Sequence, residues 1–168
     1  MPRVSAGLLP WRRTDGGGVE VFVARMGGPF WKGREAGAWS IVKGELAEGE
    51  EPLAAALREF GEETGLAIGD GGALVPLTPV RQAGGKIVHA WAVDAPGLDP
   101  ARVRSNRFPV EWPRGSGRVT WYPEIERAAW LAPAEARGLV VKGQVPLLDE
   151  LERRLRGGAD DAREEPPA

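Results

Sequence analysis

Glu59, Glu62 and Glu63 stand at positions i, i+3 and i+4 of a stretch that reads as a helix. That spacing puts their carboxylates on one helical face. Like charges so close destabilise a helix. Glu62 and Glu63 also lie toward its C-terminal end, where the macrodipole disfavours anions. A divalent cation bound between them would reverse both penalties. Oxygen donors without cysteine or histidine suit Mg²⁺ or Mn²⁺ rather than Zn²⁺. Such sites usually share their cation with substrate phosphates. The plain alternative for a glutamate-rich helix is a solvated surface.

The helix that must carry these groups is expected over residues 52–64. Pro52 suits the first helical position, and Gly65 is placed to end it. Leu53, Ala56, Leu57 and Phe60 recur at helical spacing and form an apolar stripe away from the carboxylates. The helix can thus dock on a sheet and hold its acids toward a cleft.

The surroundings decide between metal site and solvated face. Gly44, Glu50, Arg58, Glu59, Phe60, Glu62, Glu63, Gly65 and Leu66 fill G-x5-E-x7-R-E-U-x-E-E-x-G-U at every position, U being a bulky apolar residue. Average residue usage makes a chance match about one in a billion per starting position. The segment resembles the Nudix box, the signature of the Nudix hydrolases. The stretch from Gly28 to Glu51 is similar to bacterial Nudix proteins of the NTP pyrophosphohydrolase type. The Lys43-Gly44 pair also resembles the opening of the box in diadenosine-polyphosphate hydrolases, although the proline usual before that lysine is Val42 here.

The resemblance implies an α+β Nudix fold, an α/β/α sandwich with a mixed β-sheet. It implies that Glu59, Glu62 and Glu63 occupy metal-binding positions, with the Lys43 carbonyl as a further ligand. Glu50 either joins through water or supports Arg58, and Arg58 orients a box carboxylate. The implied reaction is Mg²⁺- or Mn²⁺-dependent attack of water on a phosphoanhydride in a nucleoside diphosphate derivative. A dinucleoside polyphosphate or an NTP is the first expectation. ADP-ribose, a nicotinamide dinucleotide, a diphosphoinositol polyphosphate and an RNA 5′ end stay open, as does a non-catalytic nucleotide sensor. The complete box speaks against the sensor.

A general base is also required. Glu62 is one candidate; Glu111, Glu124 and Glu126 are others, with the Glu124/Glu126 pair favoured because it precedes a predicted strand. Lys43 and Lys86 are the first choices for holding phosphates. Arg114 and Arg118 lie in a Gly-rich loop suited to anions. His89, the single histidine, falls in an alternating run and reads as a strand residue. Of the seven tryptophans, Trp91 and Trp130 are expected in the core. Trp31, Trp39, Trp112 and Trp121 are expected in or near loops, where one could stack on a nucleobase.

The remaining elements follow from periodicity and turn residues. Strands are expected at 3–11, ending where Pro10 interrupts, and at 19–23, joined by Asp15-Gly16-Gly17-Gly18. Others are expected at 39–42, 73–82, 86–93, 118–122 and 128–131, with an irregular stretch at 94–117. Short helices are expected from Pro133 and from Pro146 to Arg156. The chain of 168 residues suits a single domain over 1–156, followed by a disordered tail at 157–168. A net charge of −2 gives no large basic footprint for nucleic acid. There is no cysteine, which excludes disulfides, thiolate metal sites and a cysteine nucleophile. With neither a leader pattern nor a long apolar run, a cytoplasmic protein off the membrane is expected. Many relatives dimerise, so a homodimer stays open.

Overall fold

The computed structural model of the chain describes residues 3–69 and 72–163. Its centre is a mixed sheet. Strand β1 spans Val4–Arg13, β2 Val19–Met26, β3 Trp39–Ser40 and β4 Val42–Glu45. Strands β5 and β6 are the short pieces Val75–Pro76 and Val80–Arg81, and β7 spans Ile87–Asp94. A separate hairpin joins β8, Arg107–Glu111, to β9, Val119–Pro123, and β10 spans Ile125–Leu131. Helix α1 covers Pro52–Thr64, α2 Pro133–Arg137 and α3 Val145–Arg163.

The main sheet runs β10-β2-β1-β7-β5, with β3 on β2, β4 on β1 and β6 on β7. The β1–β7 pairing is parallel; the other pairings are antiparallel. Alternation along the strands gives each face its own core. Ala6, Leu8, Phe22 and Ala24 pack under Ala55, Ala56 and Phe60 of α1. Leu9, Val21 and Val23 pack against Leu147, Leu148 and Leu151 of α3. The α+β Nudix-type sandwich expected from the sequence is therefore present, with α1 on one face and α3 on the other. Among the described residues no helix is long and apolar enough to cross a membrane.

Several element boundaries differ from expectation. Strand β1 continues through Pro10 because its antiparallel partner changes there, from β4 at Ser5–Leu8 to β2 at Trp11–Arg13. The missing N–H of proline falls between the two ladders. The run at 73–82 breaks into β5 and β6, since Pro76 and Pro79 limit continuous pairing. The irregular stretch at 94–117 contains β8, whose Pro109 hides the strand pattern. On α1, Ala55, Ala56 and Phe60 are buried while Leu57 is 41% exposed, so small residues let the helix approach the sheet closely. Trp39 is core rather than loop, while Trp91 and Trp130 are half-buried and pack on the α1-side cluster. Helix α3 extends past Arg156 to Arg163. Residues 164–168 of the expected tail lie outside the described residues.

Candidate active site

The change of partner along β1 makes the site. Strand β4 lies beside the first half of β1 and β2 beside the second, so β2 and β4 diverge. A cleft of about 440 Å³ opens in this fork. Strand β2 contributes Ala24 and Met26, and β4 contributes Lys43, Gly44 and Glu45. Helix α1 adds Glu59 and Glu63, Lys86 enters just before β7, and Glu124 comes from just before β10.

Helix α1 begins at Pro52 after an extended Glu51. It ends at Gly65, whose left-handed backbone (φ 69°) lets its N–H donate to the Gly61 carbonyl. Arg58 ties the helix to the preceding loop. Its Nε donates to Glu50 Oε2 and its Nη2 to Glu50 Oε1, both at 2.8 Å. Its Nη1 donates to Glu59 Oε1 at 2.9 Å and to Glu62 Oε2 at 3.0 Å. Nη2 also reaches the Glu45 carbonyl at 3.2 Å. The Ala47 N–H donates to Glu50 Oε1 at 3.0 Å. Glu59 is thus aimed by Arg58 on one side and fits over Gly44 on the other.

Charges of both signs crowd the cleft. Burial, then the neighbouring charges of Glu124 and Glu59, push the Glu63 carboxyl up to about 7, while Asn106 acts in the opposite direction by hydrogen bonding. Burial and Glu59 also raise Glu124. Burial and the nearby Lys86 bring Lys43 down to about 8. Arg58 and the Ala47 N–H hold Glu50 down at about 2. Lys86 Nζ stands 3.8 Å from Glu45 Oε1.

The fold therefore brings Lys43, Lys86, Glu59, Glu63 and Glu124, all candidates from the sequence, to the lining of one cleft. The other candidates do not line the cleft. Glu62 is largely exposed and bonded to Arg58. Glu50 is engaged by the same guanidinium. Glu126 pairs with Arg25 on the opposite side of the sheet end and does not line the cleft. Arg114 and Arg118 are exposed around the β8–β9 turn, away from the cleft lining. Glu111 accepts the Gly117 N–H at 2.8 Å and shapes that turn. His89 is half-buried on β7. The sequence reading missed Glu45 and Asn106. Glu45 follows Lys43 by two residues in β4, a spacing that puts both on one strand face; no local pattern marks Asn106.

Among the described residues, no group of three or more acidic or histidine side chains is gathered tightly enough to cage a metal. Arg58 draws Glu59 and Glu62 to itself, and Glu63 hydrogen-bonds with Asn106. The donor set nevertheless suits a hard divalent cation. The acids lining the cleft offer oxygen alone, and Glu63 and Glu124 carry the mutual repulsion that such a cation would relieve.

A family model, the NUDIX domain, matches residues 1–151. The chain belongs to the Nudix family, and its fold and complete box place it among the pyrophosphohydrolases. Nudix hydrolases generally use divalent metals. No curated protein matches the chain. Among solved structures, the C. elegans Ap4A hydrolase binary complex superposes with a TM-score of 0.65 at 20% identity, covering 92% of this chain and 98% of that one. The M. smegmatis Nudix hydrolase RenU gives 0.59 at 20% identity, over 91% and 85%. The NUDIX domain of Shewanella oneidensis NrtR, complexed with ADP ribose, gives 0.58 at 12% identity, over 92% and 89%. At these identities the likeness is one of fold.

Proposed function

We propose that the protein is a Mg²⁺- or Mn²⁺-dependent hydrolase of a phosphoanhydride bond in a nucleoside diphosphate derivative, with dinucleoside polyphosphates and NTPs as first substrates. One observation carries this reading. The same cleft holds Lys43 and Lys86 together with Glu59, Glu63 and Glu124. Lysines alone would suit any anion; half-buried carboxylates beside them suit an anion that arrives with a divalent cation. The fold likeness to an Ap4A hydrolase supports the choice of first substrate.

In this reading Glu59, Glu62 and Glu63, with the Lys43 carbonyl, would hold the cation. When bound it would polarise phosphate oxygens and lower the pKa of water. Lys43 and Lys86 grip the non-reacting phosphate oxygens and neutralise charge that builds on the leaving group. Glu124 is the acid from outside the box that lines the cleft, and it accepts the proton of the attacking water. Arg58 touches no substrate; it keeps Glu59 and Glu62 aimed. Glu50 serves as its anchor.

The test is a substrate panel with Mg²⁺ or Mn²⁺, every product being separated by chromatography. It contains Ap4A, the common NTPs, ADP-ribose, nicotinamide dinucleotides and a triphosphorylated RNA. Metal-dependent cleavage of Ap4A or an NTP that stops with EDTA supports the proposal. Cleavage of ADP-ribose alone moves the substrate to that class. Silence across the panel overturns the choice of these substrate classes and moves the reading to another phosphoanhydride or to the nucleotide sensor.

A further inference from the structure

A second cavity, of about 500 Å³, lies against the same strand ends that wall the cleft. Met26, Glu124 and Ile125 face the cleft, while Gly27, Pro123 and Glu126 face the second cavity. The Gly27 N–H donates to the Glu124 carbonyl at 2.9 Å, so one stretch of paired backbone serves both. Glycine at 27 is obligatory there, since a Cβ would fall 1.9 Å from the Pro123 carbonyl oxygen. The partition between the cavities is therefore backbone without a side chain at that point.

The second cavity is lined by Trp112 and Tyr122, with Arg25, Lys32 and Glu126 as its charged groups. At its rim Phe30 and Trp112 meet edge to face, ring centroids 5.3 Å apart at 83°. Both stay exposed, Phe30 by 50% and Trp112 by 43%. A T-shaped contact leaves at least one face of each ring free of the other, which is the surface a planar ligand needs. Glu126 Oε2 accepts from Arg25 Nη1; its Oε1 has no protein hydrogen-bond partner among the described residues and remains an acceptor.

The cavity is also held in shape. The Arg25 guanidinium is nearly buried and braces the loop at 27–37. It donates to Glu35 at 3.1 Å and to the Trp31 and Arg34 carbonyls at 2.9 and 2.7 Å. A ligand entering here orders little of the protein, which favours binding.

We infer that this cavity receives the nucleobase of the substrate whose phosphates lie in the cleft. The base stacks on Trp112 and Tyr122, and an exocyclic amino group donates to Glu126 Oε1. Amino-bearing bases are thereby preferred over those that present a carbonyl at that edge, because two acceptors would face each other. The inference rests on the phosphoanhydride reading of the cleft and extends it to the substrate's nucleoside end.

The experiment is calorimetric binding of AMP, IMP and ribose 5-phosphate to the full chain, alongside KM and kcat for Ap4A. Stacking of one base is worth about 5- to 150-fold in affinity. AMP is expected to exceed ribose 5-phosphate by a factor in that range, and IMP to fall about tenfold below AMP, as for one lost hydrogen bond to a charged group. Trp112→Ala should erase the AMP advantage, leave ribose 5-phosphate unchanged, and raise KM with little change in kcat; Trp112→Phe should restore most of the loss. Phe30→Ala, on a different loop, should weaken AMP in the same sense. Equal binding of AMP and ribose 5-phosphate by the wild type overturns the inference. So does a Trp112→Ala variant, folded by circular dichroism, whose AMP affinity and KM are unmoved while hydrolysis continues; that result leaves the cleft reading standing. Failure of the wild type to hydrolyse any nucleotide removes the cleft reading itself and the inference with it.

Discussion

The carboxyl group of Glu59 fills the space that a side chain on Gly44 would need: a Cβ built on Gly44 falls 2.0 Å from Glu59 Cδ. The glycine that opens the box is thus a seat for a box carboxylate. Gly44→Ala should displace that carboxylate, the movable end of a long side chain, and leave the backbone in place. The expected result is a normal circular dichroism spectrum with kcat/KM lowered about 100-fold, the scale of a catalytic group misplaced by an ångström. A fully active Gly44→Ala enzyme would contradict the assignment of Glu59.

Arg58 contacts Glu50, Glu59 and Glu62 at once. Lysine keeps the charge but has neither the planar fork nor the reach to serve three carboxylates. Arg58→Lys is expected to lower kcat at least about tenfold while shifting stability by under about 1 kcal/mol, because these ion pairs are partly solvated. Steady-state kinetics with a urea melt separates the two effects. A large stability loss with normal kcat would make Arg58 purely structural.

How far the sequence could be read depended on how local each signal was. Helix α1 matched its predicted span because Pro52, the apolar repeat and Gly65 act within a few residues of one another. The box glutamates were singled out by their helical spacing together with the complete box around them. The fork that becomes the cleft was invisible, because it depends on β1 changing partner near Pro10. Nothing near Glu124 and Glu126 tells which of them turns into the cleft. Their separation follows from a register shift between Ile125 and Arg127, opposite β2. Strand β8 escaped notice because prolines and arginines mask its alternation.

Gln144 was also beyond sequence reading, yet it holds the cleft strands. Its Oε1 accepts the Ile41 N–H at 2.9 Å, and its Nε2 donates to Ser40 Oγ at 2.9 Å and Gln82 Oε1 at 2.8 Å. Gln144 is 1% exposed, so water cannot replace it. Gln144→Leu should cost about 1–3 kcal/mol, the penalty of stranding buried polar groups, measured by urea denaturation. An unchanged midpoint would show that the strands find other partners.

Glu150 ties α3 to the segment between β5 and β6. Its Oε1 accepts the Thr78 N–H at 2.7 Å and its Oε2 the Arg154 Nε at 2.8 Å. The Thr78 and Arg154 hydrogen bonds outweigh burial and hold its carboxyl below the ordinary range. The stability it supplies is therefore complete above its unfolded value, about 4.3, and is lost as pH falls through the lower folded value. Glu150→Gln should cost about 1 kcal/mol at neutral pH and progressively less as pH falls below the unfolded value. Thermal melts across pH would reveal the convergence; parallel curves at all pH values would refute it.

The central claim is that the box glutamates hold the divalent cation that hydrolysis requires. The most direct measurement is Mn²⁺ binding by electron paramagnetic resonance, paired with Mg²⁺-dependent hydrolysis of Ap4A, in the wild type and in Glu59→Gln, Glu62→Gln and Glu63→Gln. The account predicts that the wild type binds Mn²⁺ and turns over, and that each variant stays folded while losing metal affinity and at least about 100-fold in activity, the scale of a displaced catalytic group. Variants that bind Mn²⁺ and hydrolyse Ap4A like the wild type would contradict it.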